Sequence, residues 1–350
     1  VDMHIHPYHP PHLVCRAVSR PWSARMRRTA SPVSLILLGL GTFLLVLAPL
    51  LAWYVKPRAA VNPIDIDTTA VYTGTGSVFD VDKVDTVAGQ KITVTQRVRG
   101  NVADSERSGK AVWDVTTTVD TDKSLPAADP HDALEFMPGR WVTDRKTNRP
   151  AHCCREKPYF EGDAYLKFPF DVRKHAYRWW DNSLGATVTL TYSGVKKIQG
   201  YEGYRFTGTV PATRTGTRLV PGALVGRPKS SQVLAEEWYA NHGIELVADQ
   251  RTGRVLYAQV GPRKTLRAPG AKKDAVVLLD SRKIAFTAAT QKDQVEQAKK
   301  ESGQLRMVGR TLPIGAGVAG FVLAVVGAVL VVRGRSHPDT SESSPPPPTI

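Results

Sequence analysis

Polar side chains almost vanish from two stretches of the chain, and between them apolar and polar positions alternate. The first stretch runs from Val33 to Val55, with Ser34 and Thr42 inside it and the aromatic pair Trp53-Tyr54 at its end. As a helix it spans roughly 34 Å, enough to cross a bilayer. It exceeds the apolar core of a signal peptide and lacks an obvious small-residue cleavage pattern, so a retained anchor is expected. The second stretch, Leu312 to Val332, carries no charged side chain.

The intervening residues 56–311 predict a mainly β domain, an antiparallel sandwich or barrel. Lys91–Val98 and Val112–Val119 place β-branched residues in near alternation. Thr187–Tyr192 and Tyr204–Val210 flank a turn near Gln199-Gly200, and Glu237–Val247 and Arg254–Val260 flank another at Asp249–Gly253. Both read as hairpins. Helix formers concentrate near 290–304, which predicts a juxtamembrane helix leading into the second span. The expected organisation is therefore an N-terminal segment 1–32, a span 33–55, an outer domain 56–311, a span 312–332 and a tail 333–350.

Charge placement orients these parts. Arg16, Arg20, Arg25, Arg27 and Arg28 precede the first span, and Arg333 and Arg335 follow the second; Lys56, Arg58, Arg306 and Arg310 flank the other ends. The positive-inside rule then predicts two passes through the cell membrane, with both termini cytoplasmic and the domain outside. His4, His6, His9 and His12 lie in a segment that reads better as an over-long leader before Met26 than as a metal tract. The Ser- and Pro-rich end, with Pro345 to Pro348, has too little apolar surface to fold.

The chain has 350 residues, a net charge of +15 and three cysteines. Three cysteines exclude a disulfide-built scaffold. Forty of the 47 basic residues and 29 of the 32 acidic ones fall within 56–311. That balance favours anionic partners such as a lipid, lipoglycan or cell-wall polymer. An outside domain has no access to nucleic acid.

The sequence also resembles the actinobacterial porin PorA family of two-pass membrane proteins. The resemblance rests on Arg27 to Pro32, Leu166-Lys-Phe-Pro-Phe170, Gly200 to Phe206, Val220 to Val225, the Thr252-Gly253 hairpin and the run from Val308 into the second span. It implies a cell-envelope protein and supplies no catalytic residues. Channel formation, which the family label suggests, meets an objection in the spans, which have no ionisable stripe to line a wet pore. The dense charge on the strands likewise differs from the lipid-facing apolar face of a membrane barrel.

No enzyme is expected. Neither Gly-x-Ser-x-Gly nor His-Glu-x-x-His occurs. Gly222 to Ser230 echoes a phosphate loop but lacks its Gly-Lys-[Ser/Thr] ending and carries Pro228. His131, His152, His175 and His242 lack ligand spacing. Asp80, Asp82 and Asp85 lack the glycine and terminal glutamate of a calcium loop and read as solvated carboxylates. No metal or cofactor is expected.

Three features remain. Tyr165, Phe168, Phe170, Tyr177, Trp179 and Trp180, with Arg173, Lys174 and Arg178, form a candidate surface for an anionic lipid or glycan, against the alternative of a β core with basic neighbours. Cys153 and Cys154 are candidates for a bond between adjacent residues, against free thiols or bonds between chains; the 3.8 Å between neighbouring Cα atoms demands a strained ring. Ala316, Gly320, Ala324 and Ala328 form a four-residue stripe of small side chains, with Gly39 and Gly41 on the first span. Small side chains let helices pack closely in lipid, within one chain or in a homo-oligomer.

Overall fold

The computed structural model describes residues 31–124 and 133–335, with side chains through 333. The leader, the His-rich tract, His131 and the Pro-rich tail lie outside the described residues. The elements in chain order are α1 (Pro32–Leu50), α2 (Lys56–Ala59), β1 (Asp67–Asp80), β2 (Asp85–Gly100), α3 (Val102–Ser108), β3 (Ala111–Thr121), β4 (Glu135–Thr143) and β5 (Tyr177–Asp181). They continue with β6 (Ala186–Ile198), β7 (Tyr201–Pro221), β8 (Gln232–Ala248), β9 (Val255–Val260), β10 (Pro262–Arg267), β11 (Val276–Phe286), α4 (Ala288–Arg306) and α5 (Leu312–Arg335). Single π-helical turns at Leu51–Val55 and Met307–Thr311 join α1 to α2 and α4 to α5. The predicted juxtamembrane helix is thus continuous with the second span.

The chain divides into two units, 1–45 with 318–350, and 46–317. In the larger unit, β-branched strands pair antiparallel in the order β4-β3-β2-β1-β11-β10-β8-β7-β6-β5, with β9 pairing both β11 and β8. Val94 faces Val119 and Val98 faces Val115 across β2 and β3, the cross-strand pairing that apolar alternation selects. Both expected hairpins form, β6 with β7 and β8 with β9.

The end strands β4 and β5 do not pair with each other. The segment between them closes the gap. Arg140 of β4 exchanges both backbone hydrogen bonds with Lys157, at 2.7 and 3.0 Å, and Arg178 and Trp180 of β5 bond to Asp163 and Ala164. One segment thus bonds to both end strands and bridges them, and the domain is barrel-like rather than a sandwich. Closure protects two edges that would otherwise expose unpaired backbone groups. At the seam Trp141 stacks on Tyr165, with Phe160 and Trp180 edge-on to it, and all four are buried.

Helix α4 is mostly polar, yet it is bound tightly to the barrel. Thr287 caps its N-terminus by accepting from the Thr290 N–H, and Val295 and Ala298 are buried. Thr290 Oγ1 both accepts from Val71 N and donates to Val71 O, and Arg254 grips Glu301 with two N–H groups.

The smaller unit is a pair of helices in backbone contact. A Cβ added at Gly41 would lie 2.4 Å from the Ala324 nitrogen, and one at Gly320 would lie 2.9 Å from the Gly41 carbonyl oxygen. Gly327 makes the same kind of contact with Leu38. The expected stripe is corrected in two places. Ala328 is exposed, and Gly39 has nothing within 4 Å. Four-residue steps advance about 40° each around a helix, so Ala328 has rotated about 120° away from Ala316. Gly327, seven residues beyond Gly320, returns to the seam.

Candidate functional site

Alternation along the strands sends one side chain in two into the barrel, and small barrels either fill that space or hold one small ligand. Here the filling is incomplete. A cavity of about 210 Å³ lies inside, walled by residues of nine of the eleven strands together with Tyr165 and Leu166 of the closing segment. One part of its wall is apolar and aromatic, including Tyr72, Trp179, Leu246 and Phe286. The other part is polar and internally paired. Lys264 Nζ lies 2.6 Å from Glu135, Tyr239 donates its hydroxyl proton to Asp181 at 2.9 Å, and Asn241 donates to the Tyr239 oxygen at 3.1 Å.

Burial pushes the Asp181 carboxyl above its usual range, although the Leu184 and Ser183 amides and the Tyr239 hydroxyl oppose the rise. Burial raises the Tyr239 phenol as well. The indole N–H of Trp180, in the same wall, has no hydrogen-bond partner among the described residues. The cavity therefore offers an apolar wall and a pair of carboxylates against one ammonium.

A second cavity of about 100 Å³ adjoins the first and shares Gln96, Leu166, Val255 and Phe286 with it. Lys167 lines it, together with the Arg254–Glu301 pair and Gln294. The Lys167 ammonium donates to Asn62 Oδ1 at 2.7 Å and sits 3.8 Å from the centre of the Phe170 ring. Burial, with Arg254 nearby, lowers its pKa to about 7, against the opposing pull of Glu301.

The nine residues proposed as one basic aromatic surface do not form one. Tyr165, Phe168, Tyr177 and Trp180 are buried in two core clusters. Tyr165, Trp179 and Trp180 line the larger cavity, and Phe170 lies under Lys167. Arg173, Lys174 and Arg178 are exposed, with Arg178 paired to Asp163 and Lys174 above the rings of Tyr192 and Tyr204. Strand alternation is the reason: Arg178 must leave β5 on the face opposite its neighbours Tyr177 and Trp179. Cys153 and Cys154 are bonded to each other, in the segment between β4 and β5. Asp80 ends β1, accepts from the Asp82 and Lys83 amides in the hairpin turn and pairs with Lys123.

The polar part of the cavity could not be found by motif. Glu135, Asp181, Tyr239, Asn241 and Lys264 come from β4, β5, β8 and β10, with no fixed spacing between them. Lys167 did leave a trace, as a lone charge inside the aromatic run Leu166-Lys-Phe-Pro-Phe170.

With this geometry established, the sequence model of the Porin PorA family matches residues 33–329, most of the chain. The chain belongs to the Porin PorA family. Comparison with curated proteins gives no match. The match spans both apolar helices and the whole barrel, so in this member the family region joins a β domain to two helices long and apolar enough to cross a membrane. Most of the exposed large apolar side chains among the described residues lie in those helices, between Val33 and Tyr54 and between Met307 and Val332. They mark this PorA member as a membrane protein with a porin-like family assignment. The barrel carries exposed charge on its strands, as at Arg97, Arg178 and Arg218.

Proposed function

We propose that the protein is a non-enzymatic, two-pass protein of the cell envelope that acts as a porin, with an aqueous path formed by several copies. The family match over residues 33–329 carries this reading. Arginine asymmetry supports cytoplasmic termini and an outer barrel. Two helices in backbone contact at Gly41 and Gly320 leave no lumen between them, so a path needs a ring of such pairs. Purified full-length protein in planar bilayers should give discrete conductance steps whose frequency rises steeply with protein density. Silent bilayers at every density would overturn the porin reading.

One observation favours a second reading, in which the outer domain binds a lipid or lipoglycan. The observation is the cavity of about 210 Å³ in the barrel. An apolar cavity of about 150 Å³ takes benzene, so this one suits roughly eight to ten non-hydrogen atoms, the end of an acyl chain rather than a whole lipid. With two carboxylates to one ammonium in its wall, it supplies no anion preference; any such preference must come from outside the barrel. Native mass spectrometry of the full-length protein should find a retained amphiphile, displaced when Ala258→Trp fills the cavity. No retained mass across several extractions would remove this reading.

A further inference from the structure

We propose that the membrane-proximal end of the outer domain holds the phosphate headgroup of an anionic glycerophospholipid. A cavity of about 190 Å³ lies where α2, the turn after β8 and the second π turn meet. Lys56, Arg251, Arg306 and Arg310 line it, with Asp171 the one carboxylate among them. Asp171 lies 3.7 Å from Lys56, and Arg251 donates to the Ser302 hydroxyl at 3.1 Å. Neither Arg306 nor Arg310 has an acidic partner among the described residues. Many barrel arginines do face a carboxylate, among them Arg97, Arg140, Arg205, Arg218, Arg254 and Arg263, whereas Arg306 and Arg310 lie together at one cavity without one. Four basic groups thus stand against one carboxylate around this cavity, leaving a positive excess, and guanidinium forks match phosphate oxygens.

The chain also builds space for the site. Gly309 lets the Lys56 stem cross the second π turn, since a Cβ there would lie 2.8 Å from Lys56 Cδ. Paired π turns at Leu51–Val55 and Met307–Thr311 flank the junction, and such turns recur at functional sites.

The height of the site selects the ligand. Trp53, 81% exposed, and Tyr54 lie one turn before Lys56, and Arg58 caps the Tyr54 ring at 3.5 Å. Aromatic residues of this kind settle at the headgroup level of a bilayer. On the other helix, exposed Met307 and Leu312 bracket Arg310. An anion reaching this cavity is therefore a lipid headgroup, whose acyl chains lie along the spans. The inference requires only that the protein sits in a membrane, so its failure leaves both readings of function standing, and theirs leaves it standing.

The test is native mass spectrometry of the detergent-purified full chain titrated with phosphatidylglycerol, with phosphatidylcholine of the same acyl chains, or with inorganic phosphate. One phosphatidylglycerol should bind at least tenfold more tightly than phosphatidylcholine. Arg306→Gln with Arg310→Gln should remove that preference, whereas Arg218→Gln, outside the cavity, should keep it. Arg306→Lys with Arg310→Lys, which retains charge without the fork, should leave part of it. Equal retention of the two lipids, or a preference that survives the double glutamine variant, would overturn the site. So would inorganic phosphate binding that depends on Arg306 and Arg310 while phosphatidylglycerol does not bind.

Discussion

The barrel interior and the helix pair both bury apolar surface, yet they use opposite kinds of residue. Inside the barrel, closure depends on large rings: Trp141, Phe160, Tyr165 and Trp180 meet at the seam, and Phe168 stacks on Phe206 beside them. Between the helices, contact depends on side chains that are missing, at Gly41, Gly320 and Gly327. The solvent explains the difference. In water, each buried ring is driven inward by the surface it removes from solvent. In lipid that drive disappears, because the tails are as apolar as leucine, and only close approach distinguishes a helix from its surroundings. Size stabilises one region, and smallness the other.

The most severe way to probe the first half of this contrast is Trp141→Ala. It removes a fully enclosed ring from the seam and should cost about 3–5 kcal/mol. Denaturant unfolding of the full chain, followed by tryptophan fluorescence and circular dichroism, measures it. A loss under 1 kcal/mol would mean that closure does not depend on the aromatic cluster.

Lys167 tests whether a charge within this aromatic interior behaves as a cost. Its folded pKa, about 7, lies below the value of about 10.5 in an unfolded chain. Between those values the unfolded state binds more protons, so stability rises with pH through that window, and the penalty is fully present below pH 7. Unfolding midpoints from pH 6 to 10 should show this rise in the parent and lose it in Lys167→Met. Parallel curves for the two proteins would place the ammonium in contact with water.

Glu301→Gln sharpens the comparison at the polar helix α4. It takes the carboxylate from Arg254, a partly buried guanidinium, and should cost roughly 1.5–3 kcal/mol, the range for a hydrogen bond to a charged group. The loss should appear first as faster amide exchange in α4.

Gly320→Ile should have the smallest effect on the barrel and a decisive one on the helices. Barrel unfolding should stay within about 0.5 kcal/mol of the parent, whereas disulfide crosslinking between cysteines placed on the two spans should fall sharply. Unchanged crosslinking, within and between chains, would show that the glycine seam does not hold the pair together. A large fall in barrel stability would break the contrast itself, by making the two regions interdependent.

Much of the fold was legible because it rests on local periodicity. The two apolar helices, the hairpins at β6–β7 and β8–β9 and the strands β2 and β3 all follow from runs of apolar or alternating residues. The candidate surface was not legible in the same way. Tyr165 to Trp180 looks like one basic aromatic patch along the chain, but a strand sends neighbours to opposite faces: Arg178 leaves β5 opposite Tyr177 and Trp179, and Trp180, on the side of Arg178, is covered by Phe160 and Tyr165 of the closing segment. The small-residue stripe was legible as a composition and misread as a phase, with Ala328 taken for the seam position that Gly327 occupies.

By itself the sequence determined two apolar helices and a β domain between them, since hydrophobic length and alternation are properties of consecutive residues. It determined the family for the same reason, through motifs that are contiguous. Only the tertiary structure decided that the sheet closes into a barrel through residues 157–164. The same is true of the cavity with Glu135, Asp181 and Lys264 in one wall, and of the gathering of Arg251, Arg306 and Arg310 around one space. Each of these joins residues from distant parts of the chain. Such meetings are set by strand order and helix phase, which emerge only when every segment has found its partners.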